Sequence, residues 1–89
     1  MIAFLITYDL HRPAQNYPKI EEAIHKLGTW CHLQQSVWIV KTDSSSENLR
    51  DYLMDYIDSD DALFVTELRG ISAWTGVSLS NFNWLQSQL

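Results

Sequence analysis

Residues 2–9 of the chain read Ile-Ala-Phe-Leu-Ile-Thr-Tyr-Asp, an almost unbroken apolar and β-prone run that ends in a carboxylate. The run lacks the alternation of polar residues that marks a half-exposed strand, so it predicts a strand covered on both faces. It is also too short to be a membrane span. We therefore expect residues 2–8 to form a central strand of a sheet.

Two helices and three further strands are predicted downstream. His11–Asn16 is typical of a loop, and Pro18 is tolerated in the first turn of a helix that Gly28 then ends. A second helix follows Ser44-Ser45-Ser46-Glu47, whose Ser-x-x-Glu spacing is that of a capping box. The apolar positions at helical spacing are Ile20, Ala23, Ile24 and Leu27 in the first helix, and Leu49, Tyr52, Leu53, Tyr56 and Ile57 in the second. The remaining predicted strands are Trp30–Leu33, Val37–Lys41 and Ala62–Leu68.

This order of elements predicts an α+β fold, a ferredoxin-like βαββαβ unit with an antiparallel four-stranded sheet and two helices on one face. The chain is one domain over residues 1–89, with a core at 1–68 and a docking extension at 69–89. Because the first strand is apolar on both sides, either the extension or a second copy of the chain must cover the other face. Ser72–Thr75 could add a fifth strand, and Ser80 could cap a short last helix.

Charge and cysteine content narrow the class of protein. The formal charge is −5, from 11 acidic and 6 basic residues, which is the wrong sign for nonspecific coating of nucleic acid. The single cysteine, Cys31, cannot form an intramolecular disulfide, so we expect a reducing, cytoplasmic setting and a packed, inert thiol.

Asp9 is the first candidate for chemistry, because it stands where an apolar strand meets a loop. Such a carboxylate could bind a metal ion or simply stabilise the loop. One carboxylate alone is a poor Mg²⁺ site, but an isologous dimer would bring two copies of Asp9 across its axis. His11 could carry a proton and Arg12 could bind phosphate, or both could be solvated loop residues. The four tryptophans could stack on bases or serve as core anchors.

A pair of motifs carries a family resemblance. Thr7-Tyr8-Asp9-Leu10 at the end of the first strand is followed about 25 residues later by Gln34-Gln35-Ser36-Val37-Trp38. Residues 1–68 thus resemble the Cas-two family of CRISPR-associated endonucleases and the related virulence-associated protein D toxins. The extension, with Trp74-Thr75-Gly76, is similar to that of the SinR-like stand-alone branch.

The resemblance implies a ferredoxin-like homodimer whose two sheets face each other, with Asp9 as the Mg²⁺ ligand and Ser36 at the site. It implies a metal-dependent nuclease acting on RNA or DNA, toxin-type or defence-associated. The predicted catalytic residues are Asp9 and Ser36, from the resemblance, and Arg12, from its place in the loop that follows Asp9. The net negative charge motivates an alternative, a non-catalytic homodimeric adaptor that binds a protein partner. Without the resemblance, the polar run that contains Ser36 is better explained as a turn between two strands.

Overall fold

The sheet has residues 2–9 as an inner strand, with a neighbour on each side. The computed structural model describes residues 1–89, apart from the side chain of Pro13. It has the element order β1 (Ile2–Asp9), α1 (Pro13–His25), β2 (Thr29–Gln34), β3 (Val37–Thr42), α2 (Ser46–Met54), β4 (Ala62–Glu67) and α3 (Leu79–Gln88). The strand order is β2-β3-β1-β4 with antiparallel pairing throughout. The fold is α+β and compatible with a ferredoxin-like arrangement.

Helices α1 and α2 cover one face of the sheet. Alternate residues of β1 and β3 point into this core because side chains along a strand alternate between its faces. The buried residues of this core, from the strands and the two helices together, are Phe4, Ile6, Tyr8, Leu10, Ile20, Ala23, Ile24, Trp38, Val40, Leu49 and Leu53. The central position predicted for residues 2–8 is confirmed.

Both predicted helix starts are wrong in detail. Helix α1 begins at Pro13 and contains Pro18 in its interior, although His11–Asn16 was predicted as a loop. Pro18 has no N–H to donate to the carbonyl oxygen of Ala14, one turn earlier, yet the helix continues past it to His25. Helix α2 is capped by Ser45, whose Oγ accepts from Asn48 N at 3.1 Å, rather than by Ser44. The cap shifts by one residue because neighbouring serines offer the same hydroxyl.

The extension at residues 69–89 covers part of the second face of the sheet. Helix α3 is capped by Ser78 rather than Ser80, and Leu85 packs on Cys31 and Ile39. Its side chains also bond to β2: Trp84 Nε1 donates to Thr29 Oγ1 at 2.9 Å. The fifth strand predicted at Ser72–Thr75 is absent, since these described residues lie in an irregular segment between two glycines of positive φ, Gly70 and Gly76.

Gly28 ends the α1–β2 connection at a point of close approach. A Cβ at this position would lie 2.3 Å from the backbone oxygen of Lys41. The glycine is therefore required by contact with β3. Across the residues that the structure describes, none of the helices has the length and apolar character needed to cross a membrane.

Candidate functional site

Asp9 lies at the end of an inner strand, on the sheet face away from α1 and α2. It pairs with Ala62 of β4, and its side chain is exposed. Residues 7–9 of β1 and 62–64 of β4 line a cavity of about 220 Å³. Phe64 in this cavity is 59 % exposed. Asp9 is thus accessible on the part of the second face where a large aromatic side chain remains uncovered.

A second group of carboxylates lies in the loop that leads into β4. One oxygen from each of Asp58, Asp60 and Asp61 lies within 4.8 Å of the others, so this group could hold a metal ion. Exposed acidic groups of this kind are common without an ion. This group was not among the sites predicted from the sequence, where the one proposed metal ligand was Asp9. The signal that could have found it is three aspartates in four residues.

Arg12 is bound to this loop. Its Nε and Nη2 donate to Asp58 Oδ2 at 3.0 and 2.8 Å. Asn16 Nδ2 donates to the same oxygen at 3.0 Å. Hydrogen bonds from Arg12 and Asn16 lower the pKa of Asp58, which therefore stays ionised at neutral pH. A guanidinium has five N–H donors, so Arg12 keeps donors that a phosphate could use.

Asp61 connects its own loop, which leads into β4, to the loop that follows β1, by accepting hydrogen bonds from backbone N–H groups. Its Oδ1 accepts from His11 N at 2.7 Å, and its Oδ2 accepts from Asp58 N at 2.7 Å. The ring of His11 lies near Asp60, with Nε2 3.8 Å from Oδ2. Asp58 and Asp61 therefore serve the structure of the two loops, whereas Asp60 is the acid of the group with the weakest attachment.

Ser36 lies at the same end of the sheet as Asp9 but next to the helices. Its backbone oxygen accepts from Tyr8 N at 3.2 Å, which places it opposite Tyr8. Its hydroxyl is hydrogen-bonded to Tyr17 of α1, a partner that the sequence did not suggest. Because Tyr8 and Asp9 are neighbours on a strand, their side chains point to opposite faces. The structure therefore brings Arg12 and His11 to the acidic loop, while Asp9 and Ser36 lie on different faces.

Tyr8 fixes the end of β1 from the core side. Its hydroxyl accepts a hydrogen bond of 2.9 Å from Trp38 Nε1, and its ring meets Tyr17 edge-on at 5.6 Å. Burial raises the pKa of Tyr8 to about 12, and this effect outweighs the opposing hydrogen bond from Trp38. Tyr8 is thus a neutral structural residue beneath Asp9.

Two of the four tryptophans, Trp30 and Trp38, are stacked on histidine rings. Trp38 is 1 % exposed, and the His32 ring stacks on it with centroids 3.8 Å apart. Trp30 stacks in the same way on His25 at 4.3 Å. Rings already stacked on imidazoles offer at most one free face to a base, which favours their role as anchors. No protein-family model matches the chain.

Proposed function

We propose that the protein is a metal-dependent phosphodiesterase of the Cas-two-like superfamily, with a ferredoxin-like fold, that cleaves RNA or DNA as a homodimer. The observation that carries this proposal is the position of Asp9, an exposed carboxylate at the end of an inner strand. A rigid strand end holds such a ligand in place, and the cavity beside it leaves room for water and a phosphate.

The proposed dimer forms through the second face of the sheet. Helix α3 packs on Cys31 of β2 and Ile39 of β3, whereas Phe64 of β4 remains largely exposed. Burying this side chain against a second copy would remove apolar area from water. Since Asp9 and Phe64 line the same cavity, a two-fold axis there would bring the two Asp9 carboxylates together.

The donor set fits a hard cation. Two Asp9 carboxylates supply oxygen ligands, which Mg²⁺ prefers together with water. When bound, Mg²⁺ would lower the pKa of a bound water and offset negative charge on the phosphate. Arg12 keeps free N–H donors near the same end of β1 and would orient the phosphate. Ser36, through its bond to Tyr17, would position Tyr8 and the strand end beneath Asp9.

The test is a cleavage assay at low salt with single- and double-stranded RNA and DNA, with and without Mg²⁺. We expect Mg²⁺-dependent cleavage that Asp9→Asn abolishes in a protein that remains dimeric. Asp43→Asn is the matched control, because Asp43 is an exposed aspartate that pairs only weakly, at 3.6 Å, with the amino terminus. Asp60→Asn tests the acidic loop, since Asp60 can be changed with little loss of structure.

Each result decides between the assignments. If Asp60→Asn abolishes cleavage and Asp9→Asn leaves it intact, the cation binds the acidic loop and the assignment of Asp9 is wrong. If the parent protein neither binds nor cuts any of the four substrates, the nuclease proposal fails. The non-catalytic homodimeric adaptor would then be the better description.

A further inference from the structure

The excess of negative over positive charge comes from one part of the chain. Residues 43–61 contain seven acids, Asp43, Glu47, Asp51, Asp55, Asp58, Asp60 and Asp61, and one base, Arg50, for a net charge of −6. The other residues carry four acids and five bases, a net charge of +1. The protein is thus close to neutral except for α2 and the loops at its two ends.

A partly apolar groove runs through this acidic region, between α2 and β4. Two adjoining cavities of about 430 and 180 Å³ share Arg50 and Leu63. Their apolar lining is Met54, Ile57, Leu63, Phe64 and Val65, and their acidic lining is Glu47, Asp58 and Asp61. Met54 is 55 % exposed, so it offers apolar surface to a partner. Arg50 does not neutralise the groove, because its Nη2 pairs with Asp51 at 2.9 Å.

The groove also follows an edge of the sheet. Strand β4 is the last strand in the order β2-β3-β1-β4. An edge strand offers main-chain N–H and C=O groups to a segment that lies alongside it. An extended peptide could therefore place alternate side chains in the groove while its backbone follows β4.

We infer that the α2–β4 groove binds a basic, amphipathic peptide segment of a protein partner, with apolar side chains on Met54 and Leu63 and Lys or Arg side chains facing Glu47, Asp58 and Asp61. Charge favours this occupant over a second copy of the chain, because a second copy carries a net charge of −5, whereas a basic segment is opposite in sign to the acidic lining of the groove. The negative electrostatic potential of the groove would speed the association of a basic segment and favour one orientation of it. This inference does not depend on the phosphodiesterase activity.

The probe is a fluorescein-labelled synthetic heptapeptide of alternating Lys and Leu, compared with one of alternating Glu and Leu. We expect the basic peptide to bind in fluorescence anisotropy at 50 mM NaCl, with weaker binding at 500 mM, because salt screens exposed charges. The acidic peptide should not bind. Amide shifts in nitrogen–proton NMR spectra should concentrate in α2 and β4.

Two groove variants and one matched control test the location. Glu47→Lys reverses a groove charge and Met54→Ser removes exposed apolar surface, and each should weaken binding by roughly fivefold. Glu22→Lys changes the net charge by the same amount on the exposed surface of α1, where Glu22 lies 3.8 Å from Lys26, and should have much less effect. Equal loss in Glu47→Lys and Glu22→Lys would overturn the inference, since binding would then reflect net charge alone. Failure of the basic peptide to bind, or a change of oligomeric state in Met54→Ser, would also overturn it, the latter by showing that a second copy occupies the groove.

Discussion

Replacing Tyr8 by Phe should destabilise the protein because Trp38 loses its hydrogen-bond acceptor. The change removes one oxygen, and with it the acceptor for Trp38 Nε1, whose indole is 1 % exposed. A buried N–H left without a partner costs about 1–3 kcal/mol. The ring itself is kept, and so is its edge-on contact with Tyr17. The loss in the free energy of unfolding should therefore fall within that range at pH 7.

The same variant should change the response to alkali. Because folding raises the pKa of Tyr8 from 10.0 to about 12, its neutral form contributes stability that is complete below pH 10. That contribution is lost as the pH rises from 10 towards 12. The rise in pKa corresponds to at most about 3 kcal/mol. The parent should therefore lose stability more steeply than Tyr8→Phe over this interval.

Urea denaturation followed by circular dichroism at pH 7 and at several pH values from 9 to 12 measures both effects. The single variant Trp38→Phe and the double variant complete a mutant cycle, in which Tyr8→Phe should cost less once the indole is gone. The reasoning is refuted if Tyr8→Phe matches the parent at pH 7 and both proteins lose stability equally above pH 10.

Three further changes test the loops and the docked extension. Asp58→Asn should reduce the loss of stability in acid. Folding lowers the pKa of Asp58 below its ordinary 3.8, so the stability that its carboxylate contributes is present above pH 3.8 and is lost as the pH falls below it. The urea midpoints of the variant at pH 3 and pH 7 should therefore differ less than those of the parent. Gly28→Ala should cost about 1–3 kcal/mol, because its Cβ would meet the oxygen of Lys41 at 2.3 Å; an unchanged melting temperature would contradict this. Leu85→Ala, at a site 2 % exposed, should cost about 2–5 kcal/mol, and labelling of Cys31 by a thiol reagent should be faster than in the parent if α3 is what covers it.

Much of the helix-covered core could be predicted from local pattern. The apolar run at residues 2–8 and the helical spacing of Leu49 and Leu53 each follow from the period of the element that contains them. The ends of the helices were less predictable. Ser44 and Ser45 are chemically identical caps, and a proline such as Pro18 is more often found in the first turn of a helix than in its interior.

The candidate site, too, was predictable from the sequence only in part. Asp9 could be selected from sequence because it follows an apolar strand and precedes a loop. The partners of Arg12 and Ser36 could not, because Asp58 and Tyr17 are 46 and 19 residues away along the chain. The sequence shows three aspartates within residues 58–61, but their proximity to Arg12 and Asn16 depends on the tertiary contact between two loops.

The sequence by itself determined the strand and helix order, the inner position of β1 and the placement of an acid at its end, because these depend on side-chain period and on the burial of apolar surface. Only the tertiary structure decided that Asp9 and Ser36 lie on opposite faces, that Arg12 is bound to Asp58, and that α3 covers part of the second face. It also brought Glu47, Asp58 and Asp61 to the lining of a partly apolar groove. These features depend on register and on contacts between distant segments, which no local pattern contains.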